Sequence, residues 1–173
     1  MERVLVMGPP GSGKSTLARQ LGKRLSIDVV HLDALHFLPG WVEVEPAHEE
    51  ARLRDICGMD RWIIDGNYSR LLDIRLPRAD TVILLDFPLA LCYWRVMRRW
   101  VIYRGQARPD MAPGCPEKID WEFLKWIWGW PKRSRPRVLQ RLEAVRNEKR
   151  VIILKRSADV ERLVNSVPNW TIC

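Results

Sequence analysis

Eight consecutive residues carry the most legible chemistry in this chain: Gly8-Pro9-Pro10-Gly11-Ser12-Gly13-Lys14-Ser15. They match the pattern GxxxxGK[ST], and Thr16 follows. Glycines at these positions let backbone amides turn inward and approach phosphate oxygens closely. The flanks agree with that use. Val4-Leu5-Val6-Met7 is an apolar run that stops at the first glycine, as a buried parallel strand would. Leu17, Ala18, Leu21 and Leu25 then recur at helical spacing, so a helix opening near Lys14 aims its positive end at the same anion. Lys14 is expected to reach the β- and γ-phosphates of a nucleoside triphosphate, and the Ser15 hydroxyl to ligate Mg²⁺. The expected cofactors are ATP and Mg²⁺, held by residues Gly8 to Thr16 and by Arg95.

Three aspartates follow apolar runs: Asp33, Asp65 and Asp86. Ligands of open α/β sheets sit beyond the carboxyl ends of the strands, where these residues fall. Asp33 is placed to take a proton from an acceptor hydroxyl or to orient Mg²⁺ through water. Asp65, Gly66 and Asn67 are expected beside the acceptor, with Gly66 letting the backbone come close. Asp86, ahead of Phe87-Pro88, reads as structural. From Leu89 to Pro109 there are five arginines and no acid: Arg95, Arg98, Arg99, Arg104 and Arg108. Arg95 and Arg99 share a helix face, where like charges repel unless an anion lies between them. Positioned arginines stabilise a transferring phosphoryl group, so Lys14, Arg95, Arg99 and Asp33 form the candidate catalytic set. Arg133, Arg135, Arg137 and Arg141 form a second basic group that closes from the other side, with Arg141 the acceptor contact.

The elements that must position these residues follow from periodicity. Strands are expected at Ile27–Leu32, Trp62–Ile64, Thr81–Leu85 and Val151–Leu154, besides the first. Helices are expected over Pro46–Gly58, Leu89–Tyr103, Asp120–Trp128, Pro136–Asn147 and Ala158–Val167, with a loop over Gly105–Cys115. Strands alternating with helices imply a parallel sheet covered on both faces. The length of 173 residues and the 47% hydrophobic share suit a single domain over 1–173 with a real core. No apolar stretch is long enough for a membrane span, and no secretory signal is visible. Cys57, Cys92, Cys115 and Cys173 show no metal-ligand spacing and read as reduced thiols in a cytoplasmic protein. His31, His36 and His48 share no ligand spacing either. Residues 1–88 carry 11 Lys and Arg against 13 Asp and Glu, whereas residues 89–173 carry 18 against 8. A basic half fits converging phosphate contacts, a nucleic-acid partner or plain surface solvation.

Together these motifs resemble the adenylate-kinase-like branch of P-loop kinases. The whole chain resembles the bacterial DNA topology modulation (FlaR-like) proteins. The segments carrying this are GPPGSGKSTLARQL from Gly8, HLDALHFLPGW from His31, WIIDGNY from Trp62, TVILLDFP from Thr81, YRGQARPDMAPGCPEKIDWEFLKWIW from Tyr103 and VIIL from Val151. The resemblance implies a three-layer α/β/α P-loop NTPase fold. Its five-stranded parallel sheet would run in the order 2-3-1-4-5. An acceptor-binding insertion would span about 34–61 and a helical lid about 95–135. Arg95 and Arg99 match the two lid-base arginines of nucleotide kinases, and Asp65-Gly66 matches the start of their DGFPR motif. Asn67-Tyr68-Ser69 then replace Phe-Pro-Arg, so the arginine that holds an acceptor phosphate is absent at its place.

The expected function is a Mg²⁺-ATP kinase with a nucleotide, nucleoside or other small-molecule acceptor. The first alternative is an ATP-dependent DNA-binding regulator, drawn from the basic half and the clustered Trp121, Trp126, Trp128 and Trp130. The second is a nucleotide hydrolase, for which no residue is obviously placed to orient water.

Overall fold

A computed structural model describes residues 1–106 and 108–168, and Cys173 lies outside them. Five strands form the main sheet: β1 (Arg3–Met7), β2 (Val29–His31), β5 (Trp62–Asp65), β6 (Thr81–Leu85) and β7 (Arg150–Leu154). Their spatial order is β2-β5-β1-β6-β7, and all neighbours are parallel. Counted along this sheet alone, that is the expected 2-3-1-4-5. The intervening β3 (Phe37–Leu38) and β4 (Val42–Glu43) form a separate antiparallel hairpin.

Strand alternation explains the layers. On β1, Val4 and Val6 face one side, where they pack with Leu17 and Leu21 of α1 (Lys14–Leu25). Leu163 of the last helix, α7 (Ser157–Ser166), joins the same cluster. Leu5 and Met7 face the other side. They pack with Leu53 of α3 (Pro46–Gly58) and Leu72 of α4 (Leu72–Arg75). Both faces of the sheet are therefore covered, and its carboxyl ends stay open for the site. Between β2 and the hairpin runs a short helix, α2 (Leu32–His36), and a 3₁₀ turn (Ser69–Leu71) precedes α4. Neither was expected from periodicity, because each is about one turn long.

The clearest departure from expectation lies in the second half. After α5 (Leu89–Ile102), the two helices expected over Asp120–Trp128 and Pro136–Asn147 are one 24-residue helix, α6 (Trp121–Ala144). Pro131 and Pro136 sit inside it. An interior proline removes a hydrogen bond and costs about 3 kcal/mol, which is why the sequence reads as a break there. Tertiary contacts override the cost. Ile127, Trp130 and Leu142 are buried. Between the prolines, Arg135 grips both carboxylate oxygens of Asp86 at 2.7 Å. Asp86 is thus a structural strut, as its sequence context suggests.

Arg75 closes α4 with no exposed surface. Burial lowers the pKa of its guanidinium to about 10. Its Nη1 donates to the Gly66 carbonyl at 2.8 Å and its Nη2 to the Asn67 carbonyl at 2.5 Å. Losing the donor leaves two inward carbonyls without partners, each worth about 1–3 kcal/mol. Arg75→Met is expected to lower unfolding free energy by about 2–4 kcal/mol in urea denaturation. An unchanged midpoint would show that the turn after β5 holds itself.

Candidate active site

The phosphate loop joins β1 to α1. Gly13 ends it in the left-handed region at φ 93°, immediately before Lys14 opens the helix. Gly11 has φ 77°, and a Cβ there would lie 2.2 Å from the Cys92 carbonyl oxygen of α5. Only glycine fits, because conformation and space both exclude a side chain. The Ser12 hydroxyl is buried without a partner inside the loop, an orphan donor at the place a phosphate would fill.

Asn67 fixes the loop's entry. Its Oδ1 accepts from the Gly8 amide at 3.1 Å, and its Nδ2 donates to the Gly8 carbonyl at 2.6 Å. Asn67 therefore braces the phosphate loop, and it also lines the second cavity described below. Gly66 is also structural: a Cβ would lie 2.8 Å from the Leu32 side chain. Asp65 is buried with Oδ2 2.9 Å from His31 Nδ1. Its Oδ1 is buried without a partner. Asp65 and Gly66, expected beside the acceptor, are not among the residues that line the two cavities described below.

Two cavities flank Lys14. The first, of about 780 Å³, runs along Gly11 to Leu17 between α5 and α7. Arg95 forms its wall, donating to the Ser12 carbonyl at 3.0 Å and to Ser157 Oγ at 3.1 Å. Its guanidinium lies 5.1 Å from the centre of the Phe87 ring. The second cavity, of about 660 Å³, lies between the hairpin and α6. Asp33 lines it and accepts a hydrogen bond from Tyr68 at 3.0 Å. Burial and then the adjacent Asp33 hold the Tyr68 hydroxyl far above its ordinary pKa, so it stays a donor. Arg141 reaches the rim and pairs with Asp73 at 2.7 Å.

Where the cavities meet lies an ion cluster that sequence reasoning only half foresaw. Arg99 donates to Glu117 at 2.9 Å, and Arg108 meets the other oxygen of Glu117. Arg108 also meets Asp110 at 3.0 Å, and Arg19 stands 3.9 Å from Asp110. Burial and the neighbouring Arg108 lower the pKa of Arg99, with Glu117 offsetting them. Burial opposes ionisation of Asp110, yet Arg108 and the Ser15 hydroxyl hold its carboxyl below the usual range. Lys14, Arg19, Arg99 and Arg108 here face two carboxylates, so an anion is electrostatically welcome. Arg108 and Glu117 were legible only as members of a charged loop.

The loop carrying Arg108 is shut down on the hairpin. Gly40 donates to the Gly114 carbonyl at 3.0 Å, and Trp41 Nε1 to the Pro116 carbonyl at 3.2 Å. Met111, Ala112 and Cys115 bury themselves against Phe37 and Trp41. Ser15 and Asp110 supply oxygen donors, which suit Mg²⁺. No group of three or more His, Cys, Asp or Glu among the described residues could hold a metal. A Mg²⁺ ion here would therefore rely on phosphate oxygens and water as well.

A glycine-lined loop between a parallel strand and a helix defines a P-loop nucleotide-binding protein, and the sheet is that of the P-loop kinases. The chain belongs to the AAA domain family, whose sequence profile it matches over residues 4–102. No curated protein sequence matches it significantly. Among solved structures, a sugar kinase from Janibacter sp. HTCC2649 superposes with a TM-score of 0.52 at 16% identity, covering 95% of this chain and 93% of that one. A shikimate kinase from Bacteroides thetaiotaomicron gives 0.51 at 14% identity, over 95% and 94%. A gluconokinase from Sinorhizobium meliloti 1021 gives 0.50 at 16% identity, over 95% and 94%. At these identities the likeness is one of fold. Among the described residues, no helix is long and apolar enough to cross a membrane.

Asn67→Ala is expected to weaken binding of a fluorescent ATP analogue about tenfold, or about 1.4 kcal/mol, with little loss of stability. Equal affinity would mean that Gly8 is organised without the amide.

Proposed function

We propose that the protein is a Mg²⁺-ATP-dependent kinase. One observation carries the reading. Lys14, Arg99 and Arg108 are the only described residues that line both cavities. A phosphoryl group passing from one cavity to the other would cross this junction, where three cations can stabilise its spread charge. The three similar structures are a sugar kinase, a gluconokinase and a shikimate kinase, which supports a small-molecule kinase reading here.

In this proposal the first cavity takes ATP. The loop amides of Gly8 to Thr16, Lys14 and Ser12 bind its phosphates, and Arg95 walls the base end. Mg²⁺ would neutralise phosphate charge beside Ser15. Asp33 orients and deprotonates the acceptor hydroxyl in the second cavity, with Tyr68 holding one of its oxygens. Residues 34–61 act as the acceptor-side insertion, and 95–135 as the lid. The finer membership, in the DNA topology modulation group of adenylate-kinase-like proteins, rests on the motifs quoted above. Buried, free Cys57, Cys92 and Cys115 suit a cytoplasmic protein.

The acceptor cavity favours a flat compound over a polyol. Six aromatic side chains line it: Phe37, Trp41, Tyr68, Phe123, Trp126 and Trp130. A sugar-like acceptor needs many polar partners, and Asn67 and Tyr68 are already engaged. A nucleoside or nucleotide fits such a lining better.

The DNA-linked alternative keeps one specific observation. Trp94 and Trp121 are 60% and 68% exposed, and Arg98 and Lys125 stack on them at 5.9 and 5.6 Å. Exposed rings beside cations suit single-stranded nucleic acid.

ADP release from Mg²⁺-ATP should rise with one member of a panel of nucleosides, nucleoside monophosphates and hydroxylated acids. Lys14→Ala should abolish it, and Arg108→Ala should reduce it about 10²-fold or more. Turnover stimulated by DNA alone, with no acceptor effect, would replace the kinase reading with the nucleic-acid one.

A further inference from the structure

The loop after α5 delivers a carboxylate to the phosphate site. Asp110 is 8% exposed and lines the donor cavity together with Gly13, Lys14 and Ser15. A carboxylate beside a triphosphate is repelled by it unless a cation lies between them. Arg108 at 3.0 Å and Arg19 at 3.9 Å neutralise Asp110 in this structure, but both line the same cavity, where bound phosphates would compete for them. Asp110 is not free to swing away while its loop is shut. Its neighbours Met111 and Ala112 are buried against Phe37 and Trp41, and Gly114 is hydrogen-bonded to Gly40.

We infer that Asp110 is a Mg²⁺ ligand carried by the closing loop, completing with Ser15 a metal shell that forms only when nucleotide is bound. The inference rests on the Mg²⁺-ATP reading of the P-loop. Its consequence is coupling: metal-nucleotide binding and loop closure each favour the other, because the same residue takes part in both. Mg²⁺ commonly takes only one or two carboxylates and completes its shell with phosphate oxygens and water, so one aspartate from the loop is enough.

The test is ATP affinity by calorimetry, with Mg²⁺ and with EDTA, on the full chain and on Asp110→Asn, Asp110→Glu and Ser15→Ala. Mn²⁺ binding to each ATP complex is read in parallel by electron paramagnetic resonance. The wild type is expected to gain about tenfold or more in ATP affinity from Mg²⁺. Asp110→Asn should lose most of that gain, keep or improve its metal-free affinity, and bind Mn²⁺ about tenfold more weakly. Asp110→Glu should restore part of the gain, which separates ligation from a folding defect. If Asp110→Asn keeps the full Mg²⁺ gain, the inference is wrong. If it binds ATP more tightly by the same factor with and without Mg²⁺, Asp110 is an electrostatic plug and the inference is equally overturned. Absence of ATP binding by the wild type would sink the nucleotide reading itself, a result distinct from either.

Discussion

The two hydrogen bonds between the Asn67 amide and the backbone of Gly8 are the constraint on which the site depends. A phosphate loop is a run of glycines whose conformational freedom works against any fixed cradle. Asn67 removes that freedom at the entry, and Gly11 wedged against the Cys92 carbonyl removes it in the middle. Arg95 fixes the far side through the Ser12 carbonyl. Asn67 is itself positioned by Arg75, which reaches under the chain to the carbonyls of residues 66 and 67. The cradle is thus held from outside the glycine run, by one buried cation and one amide.

A second level of organisation grows from the ion cluster. Glu117 lies between Arg99 and Arg108, so it gathers a helix residue and a loop residue into one arrangement. Asp110 ties the same loop back toward α1 through Arg19. Because the loop also seats on the hairpin through Gly114 and Pro116, three segments distant in sequence meet around the junction of the two cavities. Buried arginines packed against one another cost free energy unless anions share the site. Glu117 and Asp110 keep the cluster together, and the remaining positive charge is what a phosphate would use.

The sequence discloses what is local and periodic. The phosphate loop, the sheet order expected from resemblance, α3 and β6 were legible because glycine spacing, apolar runs and a helix-opening proline act over a few residues. Other features were not, because they depend on partners far along the chain. Pro131 and Pro136 read as breaks, and only the Asp86–Arg135 strut and the burial of Trp130 show why one helix continues through them. Nothing near Asn67 reveals that Gly8 is its partner 59 positions away. Arg108 and Glu117 read as anonymous loop charges for the same reason. Asp33 was legible as a carboxylate beyond the second strand, but its bond to Tyr68 spans 35 positions and was not.

The two halves of the chain therefore divide the work along the line their charges suggested. The near-neutral first half builds four of the five strands of the sheet, the cradle and Asp33. The basic second half supplies Arg95, Arg99 and Arg108, and also the aromatic wall of α6. That split explains why the excess of positive charge does not by itself indicate nucleic acid. At least three of its arginines point into the cavities and are matched there by Ser12, Glu117 and Asp110. Arg135 is matched by Asp86 and Arg141 by Asp73, so two more are engaged in the fold. The other basic residues of this half lie mostly on the outside, among them Arg98 and Lys125 stacked on exposed tryptophans. The part of this charge that bears on the site is the inward part, Arg95, Arg99 and Arg108, which line the place where a phosphoryl group would be handled.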